Sequence, residues 1–540
     1  MSPMAHDTVQ GMGSQAVRSH RLSTLAAGLF DVPADVAVTD VTLDSRAVTP
    51  GALFVALRGF NRHGLEFAPQ ALRQGARAVV YEPPADDTAG SAVRHSFEQL
   101  LSQAGDGVFV VAVPQLRTHL GSLADRFFDE PSRHLTVTGI TGTNGKTTCA
   151  WLLAQALSLC GRPAAYIGTL GVGRPGAITP QEFTTADVIS VHRQLDGLRR
   201  AGASCVCMEV SSHALDQGRV DGVRFAAAAF TNLTQDHLDY HGSMEAYGAA
   251  KARLFEGPLG ARVINVDDPF GAQLARRSVD EPADTRQGRL VAVSRAAQPP
   301  RALMAGLHVH AREVRCTAAG LGLKVVTSWG DTSLDVPLVG DFNVENVLTV
   351  LGVLLSAGID LAAATAALAR CPAPPGRMEM VSAPSRPTAI IDYAHTPDAL
   401  AKALRAARAH CAGRLSVVFG CGGDRDAGKR PQMGRIAAEL ADDVTVTDDN
   451  PRTEDPARIV ADILAGLGTG TAARVEHDRA AAIRGALARA QAGDVVLIAG
   501  KGHEDYQIIG RQRRAFSDRD VARASLDASG NAPAGGGAQA

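Results

Sequence analysis

The stretch that most limits what this chain can fold into runs from Leu135 to Gly161, LTVTGITGTNGKTTCAWLLAQALSLCG. Leu135, Val137 and Ile140 form a short apolar, partly β-branched run that predicts a buried strand. Gly142-Thr143-Asn144-Gly145-Lys146-Thr147-Thr148 follows, then an Ala/Leu-rich helix to about Cys160, with Gly161 and Pro163 as stop signals. This order of strand, glycine loop, Lys-Thr and helix cradles a nucleoside triphosphate. The glycines let backbone N–H groups close on phosphate oxygens, and the helix N-terminus adds partial positive charge. The lysine reaches the β- and γ-phosphates, and the threonine hydroxyl serves a magnesium ion. The usual pattern carries a glycine five residues before Gly145, where this chain has Ile140, so the loop is a variant. A plain glycine turn before a helix is the structural alternative, and the complete context argues against it.

The 540 residues allow two to four domains with several cores. The formal net charge of -2 supplies no field that would draw the whole protein to nucleic acid or an anionic membrane. No apolar run approaches the roughly 20 residues that span a bilayer. The segment MSPMAHDTVQGMGSQAVRSHR lacks the apolar centre of a secretory signal. The eight cysteines are scattered, with Cys205 and Cys207 alternating along an apparent strand, and no paired C-x-x-C units suggest zinc. A reduced, cytoplasmic protein is expected.

The expected fold class is α/β in three domains. Residues 1–114 form a small α/β unit, with residues 1–21 mobile. Strands are expected at 41–46, 53–57 and 78–81, a helix at 67–74, loops at 86–90 and 103–107, and a helix at 114–128. Residues 115–373 form a phosphate-loop domain with a mostly parallel sheet. Val206–Val210, Ala226–Asn232 and Val263–Asp267 are short apolar runs ending at polar residues, as buried parallel strands do. From about 284 to 337 the alternation turns antiparallel. Residues 374–540 form a second doubly wound, Rossmann-like domain, with the Ala/Gly-rich residues 525–540 disordered.

Two segments accompany the phosphate loop. In Met208-Glu209-Val210-Ser211-Ser212-His213, Glu209 ends an apolar strand, where a carboxylate suits Mg²⁺ or a basic partner. In Thr231-Asn232-Leu233-Thr234-Gln235-Asp236-His237-Leu238-Asp239-Tyr240-His241, both His237 and His241 could reach a metal, and a hydrogen-bonded loop is the plainer reading. A helix then starts at Ser243, a good N-cap, with Glu245 in its first turn. On composition alone its Lys251 reads as a solvated lysine.

Together TGTNGKTT, MEVSSH, NLTQDHLDYHGS and the lysine of AAKARLF resemble the Mur ligases, the ATP-dependent amino-acid ligases of peptidoglycan synthesis. LVGDFNVEN at 338–346, PGRME at 375–379 and DYAHTPD at 392–398 continue the resemblance over roughly residues 40 to 510. GGDRDAGKRP at 422–431, DNPR at 449–452 and GKGHE at 500–504 resemble the branch that adds meso-2,6-diaminopimelate as the third peptide residue.

The resemblance implies an acyl-phosphate mechanism on UDP-N-acetylmuramoyl-L-alanyl-D-glutamate, with ATP as co-substrate, two Mg²⁺ ions and a monomeric enzyme. It implies catalytic roles for Lys146, Glu209, His237 and Lys251, the last carbamylated. Thr147, Glu209, His237 and the Lys251 carbamate would hold the metal ions. Gly142 to Thr148, with Asn343, Arg377 and Asp392, would bind ATP. Leu43, Ser45, Asn61, Thr184, Thr185, Ser211, Gln217 and Arg219 would bind the nucleotide-linked dipeptide. Phe183 and Ala186 depart from the family's Asn-Thr-Thr-Pro pattern around those threonines. Arg425, Asp449, Asn450, Pro451, Arg452, Gly500 and Glu504 would take diaminopimelate. Arg425 and Arg452 suit a carboxylate, and Glu504 an ammonium. An L-lysine-adding sister ligase and a non-catalytic ATP-binding regulator are the alternatives.

Overall fold

The computed structural model describes residues 18–32, 35–59, 62–84, 88–104, 108–280, 288–296, 306–468 and 472–528. Residues 1–17 and 529–540, which carry most of the two expected mobile termini, and Asn61 lie outside the described residues. Contacts divide the chain into two units. The first gathers the described residues up to Leu135 with Thr185–Gly202 and His213–Arg224; the second holds Thr136–Thr184, Ala203–Ser212 and the chain from Phe225 onward.

The first unit is built on a parallel sheet in the order Val41–Thr42, Leu53–Ala56, Ala78–Tyr81, Phe109–Ala112. Leu53 to Ala56 are all buried, as their unbroken apolar run requires of a strand covered on both faces. The helix Thr88–Ala104 takes up 88–90 and 103–104 of the two expected loops at 86–90 and 103–107, and residues 86–87 and 105–107 lie outside the described residues. Gly90 alone is a weak breaker, and Val93 and Phe97, four residues apart, supply the stripe that packs against Leu65 and Ala68.

The expected helix at 114–128 is a 3₁₀ turn, Leu116–His119, followed by the α-helix Leu120–Phe127. That helix shares a core with Val188 and Ile189 of the helix Val188–Arg200. The latter, expected in the domain beginning at 115, groups by its contacts with this unit. Its Asp187 cap accepts from Ile189 N–H and Ser190 N–H at 3.0 and 3.1 Å. Residues 18–21, expected to be mobile, are held: Arg18 Nη2 lies 3.0 Å from Asp129 and 3.1 Å from Asp196, and His20–Arg21 pairs with Ala37–Val38. Two distant carboxylates fix Arg18, which no local composition reveals.

The second unit carries two larger sheets. One has eleven strands among the described residues. Thr136–Thr141 lies at its centre, between the parallel strands Cys205–Glu209 and Phe225–Phe230. Ala164–Gly168 extends it on one side, and Ala261–Asn265, Arg289–Ser294 and Leu307–Thr317 extend it in parallel on the other. Gly320–Thr327 and Gly330–Val336 finish it antiparallel, so the antiparallel pattern expected from about 284 begins later, after Arg289–Ser294 and the start of Leu307–Thr317 have paired in parallel. Helices Lys146–Leu159 and Asn343–Ser356 pack on this sheet in one core.

The second sheet runs Glu379–Val381, Thr388–Asp392, Val495–Ala499, Leu415–Phe419, Asp443–Val446, Ala473–Val475. Its last five strands are parallel, so their polar carboxyl ends gather along one edge. The chain's final described helix, Asp518–Ala528, overruns the start of the expected disordered tail. Ala522 and Leu526 are buried against Ile483 there. Among the described residues no helix is long and apolar enough to cross a membrane.

Candidate active site

The central strand Thr136–Thr141 delivers the chain into the phosphate loop. Ile140 is buried and still in the strand, paired across to Glu209, so the turn begins only at Gly142. Gly142 (φ 148°) and Gly145 (φ 86°) take conformations closed to other residues. A Cβ on Gly142 would strike Thr231 Oγ1, and one on Gly145 would strike Asn346 Oδ1. The loop is moulded by the segment after Phe225–Phe230: Thr143 N–H donates to the Asn232 carbonyl at 2.8 Å, and Asn144 N–H to Asn232 Oδ1 at 2.9 Å. Thr231 Oγ1 donates to the Asn144 carbonyl at 2.6 Å.

Residues 143–148, Thr169, Thr184, Glu209 and Arg377 line a cavity of about 250 Å³. Lys146 Nζ lies across the loop, donating to the carbonyls of Gly142 and Thr143 at 2.9 Å each. Burial holds this ammonium below the usual lysine range, and Glu209 partly offsets the shift. Glu209 is fully buried at the end of its strand. It accepts from Thr147 Oγ1 at 2.9 Å, Thr169 N–H at 2.9 Å and the Tyr166 hydroxyl.

Lys251 is not a solvated lysine. It is 1% exposed, and its Nζ donates to the same Gly142 carbonyl at 2.9 Å and lies 4.3 Å from the Tyr247 ring centre. Two lysines thus meet at one carbonyl oxygen. Burial, and then the neighbouring Lys146 charge, push the Lys251 ammonium down to about 6. His237 sits in the left-handed region (φ 53°), half-exposed, edge-on to the same Tyr247 ring at 6.0 Å. His241 Nε2 lies 3.0 Å from Ser212 Oγ.

Of the residues expected to frame the rest of ATP, only Arg377 lines this cavity. Asp392 acts behind it: Oδ2 accepts from Met378 N–H at 2.8 Å and Oδ1 from Ala394 N–H at 2.9 Å, so it pins the turn that carries Arg377. Burial raises its carboxyl above the usual range. Asn343 is buried in its helix, donating to the Val339 carbonyl and accepting from Asn346. Asn346, not Asn343, abuts Gly145.

The same turn meets the segment after Val495–Ala499. A Cβ on Gly376 would overlap Gly502 and His503 N, and Arg377 stacks over Tyr393 at 5.4 Å. Beyond it, Arg452 (φ 53°) donates from Nη1 to the Gly423 carbonyl at 2.8 Å. A Cβ on Gly422 would lie 2.9 Å from Arg452 Nη1 and 3.8 Å from Arg425 Cγ, so both arginines border this glycine. Pro451 is buried behind Gly423. Asn450 Nδ2 donates to Glu504 Oε2 at 3.0 Å, and Gly500 (φ 122°) leaves room for Asp449 Oδ2. The six-stranded sheet therefore brings Arg425, Asp449 to Arg452, Gly500 and Glu504 to one edge.

Of the expected dipeptide residues, Thr184 Oγ1 is 3.1 Å from Thr169 Oγ1 at the cavity, and Ser211 follows the Glu209 strand. In the first unit, Arg219 ties Gln217 Oε1 (2.9 and 2.6 Å) to the Thr185 carbonyl (2.9 Å). Ser45 there donates to Gln70 Oε1 at 3.0 Å, and Leu43 packs against the sheet core.

Three family models match the chain: the Mur ligase catalytic domain at residues 37–128, the Mur ligase middle domain at 140–354 and the Mur ligase glutamate ligase domain at 376–502. The UDP-N-acetylmuramoyl-L-alanyl-D-glutamate–2,6-diaminopimelate ligase of Xanthomonas campestris pv. campestris (strain 8004) is 49% identical over 494 residues, 91% of this chain and 94% of that protein. This chain belongs to the Mur ligase family. The enzyme of the same name from Chromobacterium violaceum is 48% identical over 497 residues, 91% of this Mur ligase and 95% of that protein. A solved structure titled with that activity superimposes with a TM-score of 0.71 at 34% identity, over 95% of this chain and 100% of that one.

A divalent cation fits this Mur ligase at Thr147 and Glu209. Both present oxygen to the cavity, as Mg²⁺ prefers. Among the described residues no three His, Cys, Asp or Glu side chains converge as a metal cluster. Tyr166, Thr169 and Asn346 were missed in the sequence. Tyr166 reads there as one more apolar strand residue, and Asn346 as a helix residue far along the chain.

Proposed function

We propose that this ligase joins meso-2,6-diaminopimelate to the D-glutamate γ-carboxylate of UDP-N-acetylmuramoyl-L-alanyl-D-glutamate, with ATP converted to ADP and phosphate, in cytoplasmic peptidoglycan synthesis and as a monomer. The observation that carries the reading is the turn at 376–378. One of its residues lines the phosphate cavity, while its backbone abuts the Gly500–Glu504 segment. The phosphate site and the amino-acid edge are neighbours through it. The full-length likeness to diaminopimelate ligases supports the choice of substrate.

A carboxylate resists amines because its leaving group would be oxide. Attack of the γ-carboxylate oxygen on the γ-phosphorus, with ADP leaving, gives an acyl phosphate. The neutral amine then attacks the acyl carbon, phosphate leaves, and the amine sheds a proton. Both steps crowd negative charge, which cations and oriented N–H groups must offset. Lys146 turns from the loop carbonyls to the phosphates, and the loop N–H groups hold the β-phosphate. Thr147 and Glu209 would hold Mg²⁺, which would supply positive charge beside the phosphates. Lys251, neutral at working pH, attacks CO₂ and loses a proton, becoming an anionic oxygen donor beside His237. Arg425 and Arg452 take the distal carboxylate of diaminopimelate, and Glu504 its ammonium.

Two arginines flanking Gly422 favour diaminopimelate over L-lysine, which has no distal carboxylate to place there. Phosphate release with ATP and the dipeptide nucleotide tests the reading, with diaminopimelate compared against L-lysine. Release driven by diaminopimelate is expected. Preference for lysine overturns the specificity, and release independent of any amino acid overturns the coupling.

A further inference from the structure

We infer that Lys501 is a positioning residue for the amino-acid substrate, holding Asn450 and Glu504 in register and leaving their cluster one charge short, which an incoming ammonium completes. This rests on the reading that the Asp449–Arg452 and Gly500–Glu504 segments take diaminopimelate.

Lys501 is fully buried. Its Nζ donates to Asn450 Oδ1 at 3.0 Å and to Glu504 Oε2 at 3.3 Å, and lies 3.7 Å from Asp449 Oδ1. Ile508 N–H also donates to Asn450 Oδ1, at 2.9 Å. Two donors on that oxygen fix which way the amide faces. Asn450 Nδ2 must then point the other way, to Glu504 Oε2 at 3.0 Å. Both Asn450 and Lys501 therefore donate to one oxygen of the Glu504 carboxylate, setting its plane.

The charges close in the same way. Asp449 and Glu504 carry two negative charges against one on Lys501, leaving one negative charge. The adjacent buried Arg479 is neutralised by Asp518, at 2.7 Å. A buried ammonium is tolerated only with such partners. Without Lys501 the two carboxylates keep as a buried cation beside them only Arg479, already paired with Asp518, and the Glu504 oxygen loses one of the two donors that set its plane. The ammonium then loses its preset acceptor.

The test compares Lys501→Met, Glu504→Gln and the double variant, with KM measured for each of the three substrates. Lys501→Met is expected to raise the KM for diaminopimelate roughly 30- to 1,000-fold, with those for ATP and the dipeptide nucleotide within about twofold. The double variant restores one net negative charge. It is expected within about threefold of Glu504→Gln alone, because Lys501 acts through Glu504. An unchanged diaminopimelate KM in Lys501→Met, a common rise for all three substrates, or additive costs in the double variant overturns the inference. If Lys501→Met does not fold, the comparison of the double variant with Glu504→Gln decides alone, and a further loss above about tenfold refutes it. Failure of the wild-type protein to use diaminopimelate at all refutes the proposed function instead, before any variant is made.

Discussion

Replacing Lys251 by methionine should abolish activity and yet make the protein more stable. The ammonium is brought from an ordinary value of 10.5 down to about 6 by burial and by Lys146. At pH 7.5 the folded protein therefore holds it mostly neutral, where a free lysine is almost wholly charged. Folding must remove that proton, which at pH 7.5 costs about 4 kcal/mol, three pH units at about 1.4 each. Methionine escapes the cost and loses the bond to the Gly142 carbonyl, worth about 1 kcal/mol. The net gain is about 3 kcal/mol.

The sign follows from proton counts. Between pH 6 and 10.5 the folded wild type binds fewer protons than the unfolded chain, so its stability rises with pH and that of the variant does not. The gap should narrow by about 1.4 kcal/mol per pH unit. Trp151, on the helix after the phosphate loop, and Trp329 report unfolding of this region by fluorescence. The assay is denaturant unfolding at pH 6.5, 7.5 and 8.5 in CO₂-free buffer. A less stable variant, or a gap that does not change with pH, refutes the buried neutral amine. Lys251→Ala is expected folded and nearly inactive, with partial rescue by short carboxylic acids; full activity without rescue removes the proposed carbamate role.

Gly142→Ala drives a Cβ at Thr231 Oγ1 from a φ of 148°, and calorimetry with a non-hydrolysable ATP analogue should find affinity down roughly 100-fold. Tyr166→Phe takes one buried donor from Glu209; about 2 kcal/mol of stability should go with it, and steady-state kinetics should find kcat lowered. Arg452→Lys exchanges a fork for a point charge, and the KM for diaminopimelate should rise about 30- to 100-fold while that for ATP holds.

The strands and helices that position the site were legible because their patterns are local. Thr136–Thr141, Cys205–Glu209, Ala78–Tyr81 and Val495–Ala499 fall where apolar runs place them. What escaped was set by distant partners. Lys251 lies among small residues on its helix, and only the Gly142 carbonyl and the Tyr247 ring reveal that it is buried. The sequence does not reveal that Asn343, expected to bind the nucleotide, is buried and links Val339 to Asn346. The helix Thr88–Ala104 was hidden by Gly90 and polar ends, its register set by Val93 and Phe97. Ile140, the departure from the glycine pattern, is explained by the strand continuing one residue beyond it.

At the loop Gly142–Thr148, ATP phosphorylates the D-glutamate γ-carboxylate, and the amine then displaces phosphate from the acyl carbon. The most direct measurement uses ATP, diaminopimelate and a dipeptide nucleotide carrying ¹⁸O in its D-glutamate γ-carboxylate. Phosphate released by the wild-type protein should carry one ¹⁸O atom per turnover, with the tripeptide nucleotide formed in equal amount. Unlabelled phosphate, with or without tripeptide, contradicts it.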